Sequence, residues 1–384
     1  MDSMLKDKTA IVGIAETRFA KSLEPSELEL ACQVIKAALD DAGIEPAEVD
    51  ALGSYTMEQT QEFEVARNLG LGDVTFFSQV GYGGGAGCGA VGHVAMAVAT
   101  GVANVGVMWR SRKRGDPRSR VWAQVTARIY DHWKWSRPSG LVRPVDELAL
   151  VMRRYMHECG ATRDQLANVA LACRRHANRN PRATMYERKL TREEYMNARW
   201  ISEPLCLFDN CLESDGAVAV VIVRADRAKD CPQPPVYIHA WSQGLSRQHQ
   251  PMTNYHCDEP LKGASWPTAK NLWRQSDFRP KDVKVAQFYD AFSPLILFSL
   301  EAYGFCGPGE GAAYSENGAL ELGGRLPINT SGGGLSEAYI HGMNLVTEGV
   351  RQMRGTSTAQ VPNADVGLVT SAYPVPTSAL LLRR

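Results

Sequence analysis

Two stretches far apart in the chain carry the same order of signals. In the first, the glycine turn and apolar helical run "GGGAGCGAVGHVAMAVATG", Gly83 to Gly101, lead into the strand-like "NVGVMW". In the second, "TSGGGLSEAYIHGMNLVTEGVRQMRG", Thr330 to Gly355, leads into "DVGLVTS". The segments upstream agree as well. The strand "TAIVGIA", the helix "SELELACQVIKAALDDAGI" and "EPAEVDALGSYTM" are matched in order by "PVYIHAWSQG", "PTAKNLWRQSDF" and "RPKDVKVAQFYDAF". In both copies the helix stops just before a proline, Pro46 or Pro280, three residues ahead of a valine that opens an apolar strand. Such a pattern predicts a duplicated unit of mixed strands and helices, hence two similar halves around packed sheets.

The first glycine turn contains Gly85-Ala86-Gly87-Cys88-Gly89-Ala90, a match to G-x-G-x-x-G/A, and the strand-like "VTFFSQV" precedes it. Strand, turn and helix start would present free backbone N–H groups. A dinucleotide fold would also place an acidic residue about twenty positions on to hold the ribose, and "ANVGVMWRSRKRG" supplies none. Nucleotide binding is therefore disfavoured. A formal net charge of zero argues against nucleic acid as the main partner, since that partnership needs a clustered surplus of Lys and Arg. No apolar run reaches membrane-spanning length and "MDSMLKDKTA" lacks a signal-peptide core, so a soluble cytoplasmic protein is expected. Nine cysteines occur without a C-x-x-C pair, which suggests neither a zinc site nor a disulfide frame.

Between the halves, residues 111–205 have a different character, rich in Arg and in helical runs such as "DELALVMRRYMHECGATRDQLANVALACRRHANRN". This segment reads as an insertion folding over one face. The apolar run Ala217 to Val223 should then close the sheet of the first half. The expected organisation is residues 1–110 with 206–230 as the N-terminal half, 111–205 as an inserted cap, and 231–384 as the C-terminal half.

"LVMRRYMHECG", "ISEPLCLFDNCLESDGAVAVVIV", "INTSGGGLSEAYIHGMN" and the duplicated glycine turns resemble the thiolase superfamily over essentially the whole chain, in its lipid-transfer-protein branch. The resemblance implies an α/β thiolase fold: two βαβαβαββ halves packed as a five-layer αβαβα sandwich. Thiolases carry a reactive Cys at the start of the first-half glycine-turn helix, and Gly84 or Gly85 stands at that position here. Cys88 comes about one helical turn later and reads as a packing residue. The thiolase Asn-Glu-Ala-Phe element is matched by Tyr289-Asp290-Ala291-Phe292, the Gly-His-Pro element by Ala338-Tyr339-Ile340, and the late catalytic Cys by Ser371, within about one residue. A set without these cysteines and that histidine cannot run Claisen condensation through an acyl-enzyme.

On such a fold Tyr289 and Tyr339 would face one thioester oxygen from opposite loops, with Asp290 and His341 nearest to set their protons. Gly84, Gly85, Gly333 and Gly334 would form the oxyanion and substrate-binding turns. Chemistry that keeps a thioester intact yet uses its oxyanion hole is enolate chemistry, and retro-aldol cleavage fits without metal or redox cofactor. The resemblance is greatest to the aldolases of bacterial steroid degradation that cleave a CoA-activated side chain into a 17-ketosteroid and propionyl-CoA. It implies an acyl-CoA steroid substrate, no separate cofactor, and a small accessory protein with an OB fold and a zinc-ribbon-like region. Two other readings stay open at this level: a lipid-CoA carrier on a degenerate fold, and a thiolase using Cys88 or Cys306.

Two basic stretches, Trp109 to Arg120 and Arg174 to Ala183, are candidates for CoA phosphates or for the partner, with a solvated loop as the alternative. Thiolase-fold subunits bury the edge of the first sheet against a two-fold mate, so "VTFFSQV" is the expected edge of a homodimer.

Overall fold

The computed structural model describes residues 5–114, 133–250 and 252–384. The first half runs β1 (Thr9–Glu16), α1 (Glu27–Ala42), β2 (Ala51–Tyr55), α2 (Glu62–Leu69), β3 (Phe76–Val80), α3 (Gly87–Ala99) and β4 (Val105–Arg112). Between β4 and β7 (Gly216–Arg224) lie α4 (Trp133–Ser136), α5 (Pro144–Cys159), α6 (Arg163–Ala177), α7 (Arg192–Met196) and the short pair β5 (Trp200–Ser202) and β6 (Leu205–Cys206). The second half runs β8 (Val236–Gly244), α8 (Ser265–Arg274), β9 (Val285–Gln287), α9 (Pro294–Ala302), α10 (Gly311–Tyr314), α11 (Gly333–Ser336), α12 (Met343–Arg354), β10 (Val366–Thr370) and β11 (Thr377–Arg383).

The strand order β3-β2-β4-β7-β1-β8-β11-β10-β9 shows the duplication directly. Reading outward from the middle, β1, β7, β4 and β2 correspond to β8, β11, β10 and β9, with antiparallel and parallel pairs at matching places. The counterpart of β3 is reduced to one parallel bridge, Ala286 with Ile328. The two half-sheets are continuous through a short antiparallel contact, Ala10 opposite Tyr237 and Ile11 opposite Val236.

Strand β7 explains the layering. Its residues are buried on both faces, as a near-continuous apolar run requires. Ala217, Ala219, Val221 and Val223 share a core with Leu30, Val34, Ile35 and Leu39 of α1, while Val218, Val220 and Ile222 share another with Val91 and Val94 of α3. Period-two alternation thus sorts one strand's side chains into two cores. Helix α3 packs on β2 and β4 on one side and on β8 and β11 on the other, and α12 likewise touches β9 and β10 together with β1 and β7. With α1 and α8 outside, five layers result.

Local signals set the element ends. The Ser26 hydroxyl caps α1 by accepting from the Glu29 N–H at 3.1 Å, and Gly43 ends that helix in the left-handed region at φ 64°. The prolines that stop the two upstream helices open equivalent 3-10 turns, Pro46–Glu48 and Pro280–Asp282.

The segment between β4 and β7 docks on the second half. The Tyr155 hydroxyl donates to Glu301 at 2.5 Å, Arg174 to Ser336 at 3.0 Å and Asn180 to the Ser331 carbonyl at 3.1 Å. Helix α6 packs against α10 and α11. The second glycine turn does not feed one continuous helix. It opens the four-residue α11, and the chain then crosses a loop, Glu337 to Gly342, before α12 begins.

Candidate active site

Two loops meet where the layers converge. Tyr289 follows β9; its N–H donates to the Thr370 hydroxyl of β10 at 3.1 Å, and Asn329 pins the preceding residue through Phe288 N–H and C=O at 2.7 and 2.8 Å. Tyr339 lies between α11 and α12, its N–H held by the Ser214 hydroxyl at 3.1 Å. The two phenolic hydroxyls are directly hydrogen-bonded to each other. Their rings stand edge to face, 6.0 Å between centroids at 70°.

Missing side chains make that contact possible. A Cβ on Gly84 would lie 1.8 Å from the Tyr289 hydroxyl, and one on Gly342 would lie 2.7 Å from its ring. The Tyr289 ring therefore fills the space that a side chain at the nucleophile position would need. Gly342 also has φ 86°, which disfavours any L side chain. At Gly85 a Cβ would meet the Pro376 carbonyl at 2.0 Å, so no nucleophile fits there either.

Burial, the largest influence, raises both phenols above their ordinary range, so both are neutral at pH 7. Arg114 and Arg112 pull Tyr339 the other way, and the Arg114 guanidinium sits 5.3 Å from the centre of the Tyr339 ring.

The supporting residues divide by role. Asp290 turns away from both hydroxyls: its carboxylate accepts from the Gly334 and Leu335 N–H groups at 2.8 and 3.2 Å, and burial raises it to about 6. It fastens the second glycine turn. Gly333 lies on the same carboxylate, where a Cβ would come 2.2 Å from Oδ2. His341 stands beside Tyr339, ring centroids 5.5 Å apart at 83°. The Ser371 hydroxyl accepts from the Cys88 N–H at 3.0 Å and from the Ser378 hydroxyl at 3.1 Å, so it caps the start of α3. Cys88 is buried with its thiol against the Val369 carbonyl. Burial pushes Cys88, Cys211 and Cys306 up to about 12, which leaves each a protonated thiol and a poor nucleophile.

The basic stretches change meaning. Arg110, Arg112 and Arg114 are buried at 0, 2 and 4% exposure, built into and just beyond β4 rather than displayed on a loop. Residues 115–120 of that stretch lie outside the described residues. Arg174 is buried too, spent on the Ser336 hydroxyl and the Arg188 carbonyl, whereas Arg175 pairs with Glu321 at the surface.

Several contributors escaped the sequence reading. Glu337 braces the loop that carries Tyr339, accepting from Asn180 at 3.0 Å, Ser331 at 2.6 Å and Asn344 at 2.8 Å. Tyr55 and Arg110, both from the first half, reach across to the His341 turn. Acidic and small residues next to a glycine turn offered the only hint of this bracing. A cavity of about 370 Å³ opens beside Gly85, lined among others by Tyr82, Gln243, Leu245 and Pro376. Among the described residues no His, Cys, Asp and Glu side chains gather as a metal-holding group, and no helix is long and apolar enough to cross a membrane.

Known proteins resemble this chain along nearly its whole length. Residues 9–226 match the family "Thiolase, N-terminal domain" and residues 248–379 match "Thiolase C-terminal domain-like". The chain is 46% identical to the 17-hydroxy-3-oxo-4-pregnene-20-carboxyl-CoA lyase of Mycobacterium tuberculosis, covering 99% of this chain and 100% of that one. It is 45% identical to the steroid side-chain-cleaving aldolase of Thermomonospora curvata, covering 99% of each. A solved structure described as "Ltp2-ChsH2(DUF35) aldolase" superposes with a TM-score of 0.94 at 44% identity over 99% of both chains. An SCP2-thiolase-like protein from Mycobacterium smegmatis, 17% identical with a TM-score of 0.71 over 98% of this chain and 78% of its own, shares the fold. The chain belongs to the thiolase superfamily, in the branch that holds the steroid side-chain-cleaving aldolases.

Proposed function

We propose that this protein is a carbon–carbon lyase that cleaves the CoA-activated side chain of a 17-hydroxy steroid by retro-aldol chemistry, giving a 17-ketosteroid and propionyl-CoA. The observation that carries the reading is the Tyr289–Tyr339 hydroxyl pair standing where Gly84 has removed the thiolase side chain. One phenol takes the proton of the β-hydroxyl while passing its own along the shared hydrogen bond to the other, as the bond between the α and β carbons breaks. The bonding electrons pass into the thioester as an enolate, and a proton delivered from the paired phenol to the α carbon completes the acyl-CoA product. Protons balance because each phenol gains one proton and gives up another, so both end the turnover neutral. The cleavage is heterolytic and redox-neutral, so it requires no cofactor beyond the CoA of the substrate.

A neutral phenol is a weak base. Two features favour its use here. The nearby arginines favour release of Tyr339's own proton as it accepts another, and a water-poor site makes such preorganised charges worth more than they are in bulk water.

The enzyme works in the cytoplasm with a small accessory protein, and in support the 44% identical structure is described under a joint name, "Ltp2-ChsH2(DUF35) aldolase"; an OB fold with a zinc-ribbon-like region is the expected form of the partner. Its core is a homodimer through β3, the outermost strand of the first half-sheet, on which Phe77 is 68% exposed.

The deciding experiment incubates the purified chain, alone and with its co-expressed partner, with a β-hydroxyacyl-CoA bearing a tertiary alcohol. Ketone and shortened acyl-CoA in equal amounts support the lyase. Substrate bound and recovered unchanged in both preparations would favour the carrier.

A further inference from the structure

His341 occupies left-handed backbone, φ 56°, two residues after Tyr339. Its hydrogen-bonded supports come from the first half. The Tyr55 hydroxyl donates to the His341 carbonyl at 2.9 Å, and the rings of the two residues stack at 6.0 Å and 23°. Arg110, fully buried, places Nη2 2.9 Å from His341 Nδ1 while Nη1 donates to the Tyr55 carbonyl at 2.6 Å. The same guanidinium lies 4.5 Å over the Tyr55 ring and 3.9 Å from Glu58.

A guanidinium offers donors only, so Nδ1 must accept and the ring hydrogen must sit on Nε2. Burial first, then Arg110, Arg114 and Arg112, holds the imidazole well below its usual range, so the ring is neutral. Its Cε1, the carbon bonded to Nε2, lies 4.0 Å from the point a Cβ on Gly83 would occupy, beside the glycine turn. That turn and Tyr339 are the two sides of the site.

We propose that His341, held by Arg110 with its hydrogen on Nε2, donates that hydrogen bond to the thioester oxygen as the enolate forms, with Arg110 as the positioning residue. The inference rests on the retro-aldol reading and adds a donor to it. No proton leaves His341: the phenols move the protons, and the imidazole stabilises the oxygen on which charge develops.

The test uses the full chain with its partner and two substitutions. Asn tolerates left-handed backbone, and its short amide keeps an acceptor for Arg110 but cannot reach the Nε2 position. His341→Asn should fold with wild-type thermal stability yet lose about 10²- to 10³-fold in kcat, the usual cost of one oxyanion donor, while KM changes by less than about threefold. His341→Gln, whose amide N–H extends to that position, should recover at least about tenfold over the Asn variant, a rescue that a packing role would not give. Nitrogen-15 spectra of histidine-labelled protein, with the His341 signal assigned by its loss in the variants, should show the hydrogen on Nε2. A hydrogen on Nδ1, a kcat within about threefold of wild type in His341→Asn, or a loss confined to KM would each overturn the proposal. Absence of cleavage by the wild type would instead overturn the retro-aldol reading, and the spectrum of His341 remains readable in either case.

Discussion

The Tyr289 hydroxyl lies 1.8 Å from the point where Gly84 would carry its Cβ, so the two positions compete for one volume. In a thiolase the resemblance puts a cysteine at that position; here the ring has moved in. Restoring even a methyl group must displace Tyr289 from Tyr339. Gly84→Ala should therefore cost more in activity than in stability. Overpacking of this kind commonly costs about 1–3 kcal/mol, while cleavage should fall at least about 10²-fold, as for loss of a general acid or base. Paired melting curves and rates check the separation.

No acyl group should ever be carried by the protein. Cys88 is held as a thiol near 12 behind the Val369 carbonyl, and no alternative nucleophile fits at Gly84 or Gly85. Cys88→Ala should keep most of the cleavage rate and lose on the order of 1 kcal/mol of stability through the vacated volume. Intact-mass spectrometry of protein quenched during turnover should show no acyl adduct.

Glu337 predicts a pH effect on stability. Burial, and then the charge of Glu16, raises it from 4.5 to about 8. Glu16 itself is paired with Arg351 at 2.8 Å, and Arg351 also faces Glu348. A carboxyl raised in the folded state favours folding fully below its unfolded value, and that contribution is lost as pH climbs from about 4.5 through about 8. Glu337→Gln should remove this dependence while keeping a polar partner for Ser331 and Asn344. Between pH 6 and 9 the unfolding free energy of the wild type should fall relative to the variant by roughly 1–3 kcal/mol. Parallel pH curves for the two proteins would contradict the assignment.

The duplication made the fold legible, because strand and helix periodicity, the paired prolines and the glycine turns are local signals that survive in one sequence. Tyr289 and Tyr339 were legible for another reason: they fall on motif positions of the resembled superfamily. Contacts across the halves were not. Arg110 belongs to a run that reads as a candidate for CoA phosphates or the partner, with a solvated loop as the alternative, and the pairing of β4 with β2 and β7 buries it instead. Asp290 adjoins Tyr289 in sequence, yet its carboxylate turns to the Gly334 and Leu335 N–H groups, which follow forty-odd residues later. The break between α11 and α12 was hidden because Gly342 and His341 interrupt the helix through backbone sign rather than through proline. The bracing by Glu337 depends on Asn180, from a segment that reads as a separate cap.

The central claim is that the two hydroxyls of the Tyr289–Tyr339 pair carry the protons of the cleavage. Tyr289→Phe and Tyr339→Phe keep both rings in place, so melting temperatures should stay near wild type. Steady-state cleavage of the same β-hydroxyacyl-CoA should fall by about 10²- to 10⁴-fold in each variant, the range for loss of a general acid or base. If each variant retains more than about half of the wild-type rate, which a proton-carrying hydroxyl does not permit, the pair is packing and the mechanism fails.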